Sequence, residues 1–223
     1  GTGVRVLESA VNLGFAGGCN LAARAATGRH LVFLNDDTEV EARWLESLVE
    51  IADADPRVGA VGSCILFPDG SVQETGSVIW RDGSTMGLGR GKRPESPSVG
   101  FVRQVDYCSA CSLLVRREAW DAVGGFCEDY YPAYYEDVDF CLRLRQHGPI
   151  QYLPDVAITH LGRISSRANY GFTNYGYEIG YARYLRKHHR RPWAHRVYKV
   201  LILLDTPFRL VTYGCQYVLS TLT

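Results

Sequence analysis

The apolar run Leu31-Val32-Phe33-Leu34 ends directly on Asn35-Asp36-Asp37. Four consecutive apolar residues of this kind read as a buried strand. Carboxylates at the end of a buried strand are costly to desolvate unless something pairs with them. In an open α/β sheet, the crevice beyond the C-terminal strand ends is where ligands bind. A second acidic group, Glu136-Asp137 with Asp139, follows the aromatic stretch 130–135. A hard divalent cation, Mg²⁺ or Mn²⁺, needs only one or two carboxylates and fills its shell with water and substrate phosphates. The two clusters together point to metal-assisted group transfer. Taken alone, the first trio serves equally as a turn, with Asp37 capping a helix that begins near Glu39.

The order of elements supports an α/β class. Residues 4–7 predict a short strand and 12–18 a glycine-rich turn. A helix over 20–26 is closed by Gly28. Strand 30–34 precedes an amphipathic helix over 41–54, with Leu45, Leu48, Val49 and Ala52 on one face. Strands follow at 58–67 and 71–80, separated by the turn Pro68-Asp69-Gly70. Residues 86–100, rich in Gly, Pro, Ser and basic side chains, predict a mobile loop. Beyond it lie strand 99–115, helix 117–123 stopped by Gly124-Gly125, helix 136–147, strand 150–160 broken by Pro154, and helix 175–186. Alternating elements followed by antiparallel material imply a mixed sheet flanked by helices.

Chemistry concentrates at a few positions. Glu136-Asp137 opens a helix, where the dipole favours an ionised carboxylate able to accept a proton. Tyr130, Tyr131, Tyr134 and Tyr135 offer flat faces with polar tips, suited to a sugar ring or to core packing. His160 closes a strand and could complete a metal shell as a neutral imidazole. Arg163 and Arg167 could hold a diphosphate.

Charge balance, Lys+Arg 24 against Asp+Glu 24, gives no argument for nucleic acid. Basic residues do cluster between Arg183 and Lys199, a candidate contact for anionic lipid or simply a solvated face. No apolar run reaches spanning length. Seven cysteines scattered through apolar segments suggest buried thiols. The Cys108-Ser109-Ala110-Cys111 spacing is read the same way, over a redox or zinc role.

The blocks Asn12-Leu13-Gly14-Phe15-Ala16-Gly17-Gly18-Cys19-Asn20, Phe33-Leu34-Asn35-Asp36-Asp37-Thr38, Gly124-Gly125-Phe126, Tyr135-Glu136-Asp137-Val138-Asp139 and His160 occur in this order. As a set they resemble glycosyltransferase family 2, with a GT-A fold, in its rhamnosyltransferase-like branch. The resemblance runs from about residue 4 to 188. It implies an inverting enzyme that moves a sugar from a nucleoside-diphosphate donor to a hydroxyl of a glycan or lipid-linked acceptor, in cell-surface polysaccharide or glycolipid synthesis.

On that resemblance, Asn35-Asp36-Asp37 stands at the DxD motif, with Asn35 in place of its first Asp. Asp37 and His160 would hold Mg²⁺ or Mn²⁺. Asp137 would be the general base, with Glu136 beside it. Asn12, Gly14, Gly17, Asn20, Asn35, Asp36 and Arg163 would line the donor, and Gly125, Phe126 and Tyr135 the acceptor. Family members begin with two further strands that hold much of the nucleobase site. The resemblance therefore implies an N-terminally incomplete GT-A-like domain over 1–190 and an amphipathic helical tail over 191–223. The tail would touch the inner face of the cell membrane from the cytoplasm. A non-catalytic fragment or binding module of the same fold is the alternative expectation. Phosphoryl transfer, which needs carboxylates gathered around two metals, is a weaker one.

Overall fold

A computed structural model describes residues 3–162 and 170–188. Along the chain come α1 (Gly14–Ala25), β1 (His30–Leu34), β2 (Thr38–Val40), α2 (Trp44–Ala54), β3 (Ala60–Leu66), β4 (Val72–Glu74), β5 (Ser77–Ile79) and β6 (Thr85–Gly87). Then follow β7 (Arg103–Val105), β8 (Ser112–Arg116), α3 (Arg117–Val123), α4 (Glu136–Leu144), β9 (Ile150–His160) and α5 (Tyr170–His188). A 3₁₀ turn, Glu128–Tyr130, lies before α4.

Seven strands form one mixed sheet in the order β1-β8-β3-β9-β2, with β4 added to β3 and β7 to β9. β3 runs antiparallel to β8 and parallel to β9. Six of its seven residues are buried, so it reads as an uninterrupted apolar segment, as a strand covered on both faces must. Its side chains alternate between two cores. Val61 and Ile65, with Leu114 of β8, pack under α2 against Trp44, Leu48 and Ala52. Ala60 and Cys64, with Leu113 and Val115, pack on the opposite face with Trp120, Phe126 and Phe140. The period of two in β3 and β8 thus sorts helices to both sides of the sheet. β5 and β6 form a separate two-stranded hairpin.

Several expected boundaries shift for identifiable reasons. Residues 4–7 are not a strand: Val4 and Val6 are exposed, and no strand pairs with them among the described residues. The glycine-rich segment forms the first turns of α1 instead of a turn before it. Gly14 (φ +69) lets the chain pass against Pro132, whose carbonyl accepts the Phe15 N–H at 2.8 Å. A Cβ at Gly14 would lie 2.6 Å from that same oxygen, so glycine is required there. On α2, Trp44 takes the inward place expected of Leu45, which is 45% exposed. The register between β3 and β9 jumps between Ser63 and Cys64, whose partners are Leu153 and Ala157. Pro154 thus produces a bulge inside one continuous strand, not a break.

The segment 86–100, expected to be mobile, is tied along β4 by main-chain bonds. Val72 and Lys92 are linked N–H to C=O at 2.8 Å, Gly91 donates to Val72 at 2.8 Å, and Thr75 donates to Leu88 at 3.1 Å. The six described cysteines are free thiols, and Cys108 and Cys111 are buried. Cys108 packs directly on Gly62 of β3, where an added Cβ would lie 2.5 Å from both its Cβ and its Sγ. Gly62→Ala is therefore expected to cost about 1–3 kcal/mol by overpacking, read as a lower melting temperature. An unchanged melting temperature would show this contact to be slack.

Candidate active site

β1 delivers Asn35-Asp36-Asp37 past the edge of β8, where the Asn35 N–H donates to Cys111 O at 3.1 Å. The chain then turns into β2, with the Thr38 hydroxyl donating to Asn35 O at 2.7 Å. β2 pairs antiparallel with the end of β9, placing Thr38 opposite His160. This register brings the Asp37 and His160 side chains together, with Oδ1 and Nε2 3.2 Å apart. The strand pairing replaces the helix cap expected near Glu39 as the alternative use of Asp37. His160 Nδ1 lies 3.2 Å from Gln73 Oε1. The tautomer with its proton on Nδ1, donated to Gln73, would turn the Nε2 lone pair toward the Asp37 carboxylate, the form in which the two side chains can share a cation; the other tautomer donates Nε2–H to Asp37 directly.

Asp137 reaches the same place from α4. The N–H of Val138 donates to its Oδ1 at 2.8 Å and that of Ala110 to Oδ2 at 3.4 Å. Burial pushes its carboxyl above the usual range, against the pull of those two donors. Glu136, at the first turn of the same helix, is 5% exposed, and its Oε2 has no hydrogen-bond partner. Burial, and then the neighbouring Asp137, push it up to about 8. The lead-in carries Tyr134 (φ +82) and Tyr135 (φ +72), two consecutive non-glycine residues in the left-handed region. Such strain persists only where the surroundings hold it, and it clusters at functional sites.

One cleft of about 650 Å³ is lined by Asn35, Asp36, Asp37, Tyr134, Tyr135, Glu136, Asp137 and His160 together. It also takes in Glu74 and Gln73 of β4, which the sequence reading missed. Burial pushes the Glu74 carboxyl up to about 7, aided by Asp137 and opposed by the Ser109 N–H. The only sequence signal was a Gln-Glu pair in a short strand. Nothing in its spacing points to Asp137, which meets it through the loop 106–111. That loop contains the CxxC spacing, so the segment matters here through its main chain as well as its buried thiols.

Other expected site residues lie elsewhere. The Asn20 amide is used up inside the core: Nδ2 donates to Phe126 O and Glu128 Oε1, and Oδ1 accepts the Phe126 N–H. Phe126 is buried among Phe33, Trp120 and Phe140. Gly125 abuts Asn20 and Trp120, and Gly17 abuts Leu13 and Glu128. Asn12 Oδ1 accepts the Gly14 N–H at 2.9 Å, and both residues border a separate shallow cavity beside α1. None of these six lines the 650 Å³ cleft. Of the four tyrosines, Tyr134 and Tyr135 line it, while Tyr130 is buried in the core. Arg163, Arg167 and the tail 191–223 lie outside the described residues.

Asp139 also turns away from the cleft. It is fully buried and bonded to Arg143, Lys187 and His188, joining α4 to α5. Among the described residues, no group of three or more His, Cys, Asp or Glu side chains forms a metal cage. Asp37 and His160 supply two ligands. That number suits an ion whose remaining positions go to water and phosphate oxygens. The described lining carries five carboxyls and neither Lys nor Arg, so its charge also fits a cation.

The fold is that of the GT-A glycosyltransferases. The solved structure of GalNAc-T7 with UDP, GalNAc and Mn²⁺ superposes with a TM-score of 0.59 at 15% identity, covering 80% of this chain and 35% of that one. Residues 1–121 match the model of Glycosyl transferase family 2. The chain belongs to that family. It is 36% identical over 183 residues to the O-antigen biosynthesis protein RfbC of Myxococcus xanthus, covering 78% of this chain and 14% of the relative. It is 32% identical over 182 residues to the N-acetylglucosaminyl-diphospho-decaprenol L-rhamnosyltransferase of Mycobacterium tuberculosis, covering 70% and 58%. The chain thus spans less than two thirds of the length of either relative. No helix among the described residues is long and apolar enough to cross a membrane.

Proposed function

We propose that this chain carries the catalytic cleft of an inverting, metal-dependent glycosyltransferase that acts in cell-surface polysaccharide synthesis. The observation that carries the reading is the meeting of Asp37, His160 and Asp137 in one cleft. Asp37 and His160 would hold Mg²⁺ or Mn²⁺, and the bound ion would neutralise the donor diphosphate. Asn35 and Asp36 border the donor beside them. Asp137 accepts the proton of the acceptor hydroxyl as that oxygen bonds to the sugar anomeric carbon. The bond from this carbon to the diphosphate breaks on the opposite face, and the nucleoside diphosphate departs. The passing oxocarbenium character is that of glycoside chemistry generally. Tyr134 offers the acceptor sugar an aromatic face, backed by the buried Tyr135.

The rhamnosyltransferase relative is named for a lipid-linked acceptor. We assign a glycan or lipid-linked acceptor to this chain as well, met at the cytoplasmic face of the membrane. The test is a thermal-shift screen of UDP-, GDP- and dTDP-sugars with Mn²⁺ or with EDTA. A ligand bound only by the folded state raises apparent stability, by about 2.7 kcal/mol at a hundred times its Kd. A shift of several degrees is expected for one donor with Mn²⁺, and it should disappear in Asp37→Ala and His160→Ala. Equal shifts in EDTA, or none with any donor, would contradict the proposal.

A further inference from the structure

The loop between β7 and β8 presents two successive main-chain N–H groups to two carboxyls from distant parts of the chain. Ser109 N–H donates to Glu74 Oε1 at 2.9 Å, and Ala110 N–H donates to Asp137 Oδ2 at 3.4 Å. Adjacent donors on one turn fix the two acids side by side. Both line the cleft, which also contains the buried, unpartnered Oε2 of Glu136. A buried polar atom left without a partner is costly, and a ligand hydroxyl would relieve it.

Removing one proton from an acceptor hydroxyl requires only one base, and Asp137 fills that role. Glu74 is therefore surplus to the proton transfer, yet it is held at the base's side by a dedicated hydrogen bond. Two neighbouring hydroxyls on a sugar ring have the matching arrangement. Resting on the glycosyl-transfer reading above, we propose that Glu74 is a specificity-determining residue: its carboxyl hydrogen-bonds the hydroxyl adjacent to the one that Asp137 deprotonates. The cleft then selects acceptors with two neighbouring free hydroxyls over acceptors with an isolated one. The raised affinity of Glu74 for its proton agrees, because a neutral carboxyl both donates and accepts. A site built to hydrogen-bond a substrate hydroxyl rejects analogues that lack it, since its own polar group is then left unpaired.

The test uses the full chain, Mn²⁺ and the donor identified by thermal shift. Octyl glycosides of glucose, galactose, mannose, rhamnose and N-acetylglucosamine serve as acceptors. For the best acceptor, the wild type is compared with Glu74→Gln and Glu74→Ala on the parent glycoside and on its monodeoxy analogues. Loss of one hydroxyl next to the reacting one should lower wild-type kcat/KM by about ten- to a hundredfold, chiefly through KM. That ratio should fall to about one in Glu74→Ala and be retained in Glu74→Gln, whose amide both donates and accepts. A melting curve of each variant confirms folding. If the parent-to-deoxy ratio in Glu74→Ala equals that of the wild type, the role of Glu74 is refuted and the transferase reading survives. If wild type with bound donor transfers to none of the glycosides, both fall.

Discussion

Asp137→Asn is expected to lower the rate of sugar transfer by about 10²–10⁴-fold, the usual contribution of a positioned general base. Asparagine keeps the size of the side chain, and its amide oxygen can still accept the short Val138 N–H bond, while its NH2 group takes the place of the oxygen that accepts the long 3.4 Å bond from Ala110. It cannot take up a proton. The donor-dependent thermal shift should therefore persist while kcat falls. Stability should move the other way. Burial raises the Asp137 pKa, so its ionised form is disfavoured in the folded state. Above the folded pKa that penalty is present in full, and the neutral amide removes it. A variant that melts no lower than wild type at neutral pH yet has lost turnover is the signature of a residue kept for chemistry. Full activity in Asp137→Asn would remove the base from the mechanism.

The second large effect falls on stability. Asp139→Asn should destabilise the fold by about 3–5 kcal/mol, because Arg143, Lys187 and His188 lose their common partner. Burial alone would raise the Asp139 carboxyl, but its bonds to His188 and Lys187, with the Arg143 charge, hold it down at about 2, below its ordinary 3.8. A depressed carboxylate pKa stabilises the folded state fully above the unfolded value. That share, about 2 kcal/mol, is lost as pH falls from about 4 to about 2. Melting curves against pH should show the gap between wild type and Asp139→Asn narrowing in that window. A gap that stayed constant from pH 6 to 2 would show that the ionised carboxylate is not what joins α4 to α5.

Elements with local punctuation were legible in the sequence. β1 is an apolar run bounded by polar residues, and α3 ends at Gly124 in the left-handed conformation, so both match their expected bounds. The acidic ends of β1 and α4 were readable because carboxylates beside apolar or aromatic runs are conspicuous. Their meeting depends on the loop before β8, which bonds Asn35 through Cys111 and Asp137 through Ala110, and no local pattern reveals it. The glycines of α1 looked like a turn, and the reason for the first of them, Gly14, lies in its close approach to Pro132, remote in sequence. Asn20 looked like a polar ligand contact for the same reason: its partners, Phe126 and Glu128, come from another part of the chain. Glu74 escaped notice because a lone acid in a short strand gains significance only from the amides of the loop beside it.

The stereochemistry of the first product tests the account most directly. With a donor of known anomeric configuration and Mn²⁺, the one-bond C1–H1 coupling of the newly formed glycoside can be read by NMR before any secondary exchange. Attack by the acceptor oxygen that Asp137 activates, opposite the departing diphosphate, predicts the inverted anomer. A product that keeps the donor's configuration would contradict the single displacement assigned to this cleft.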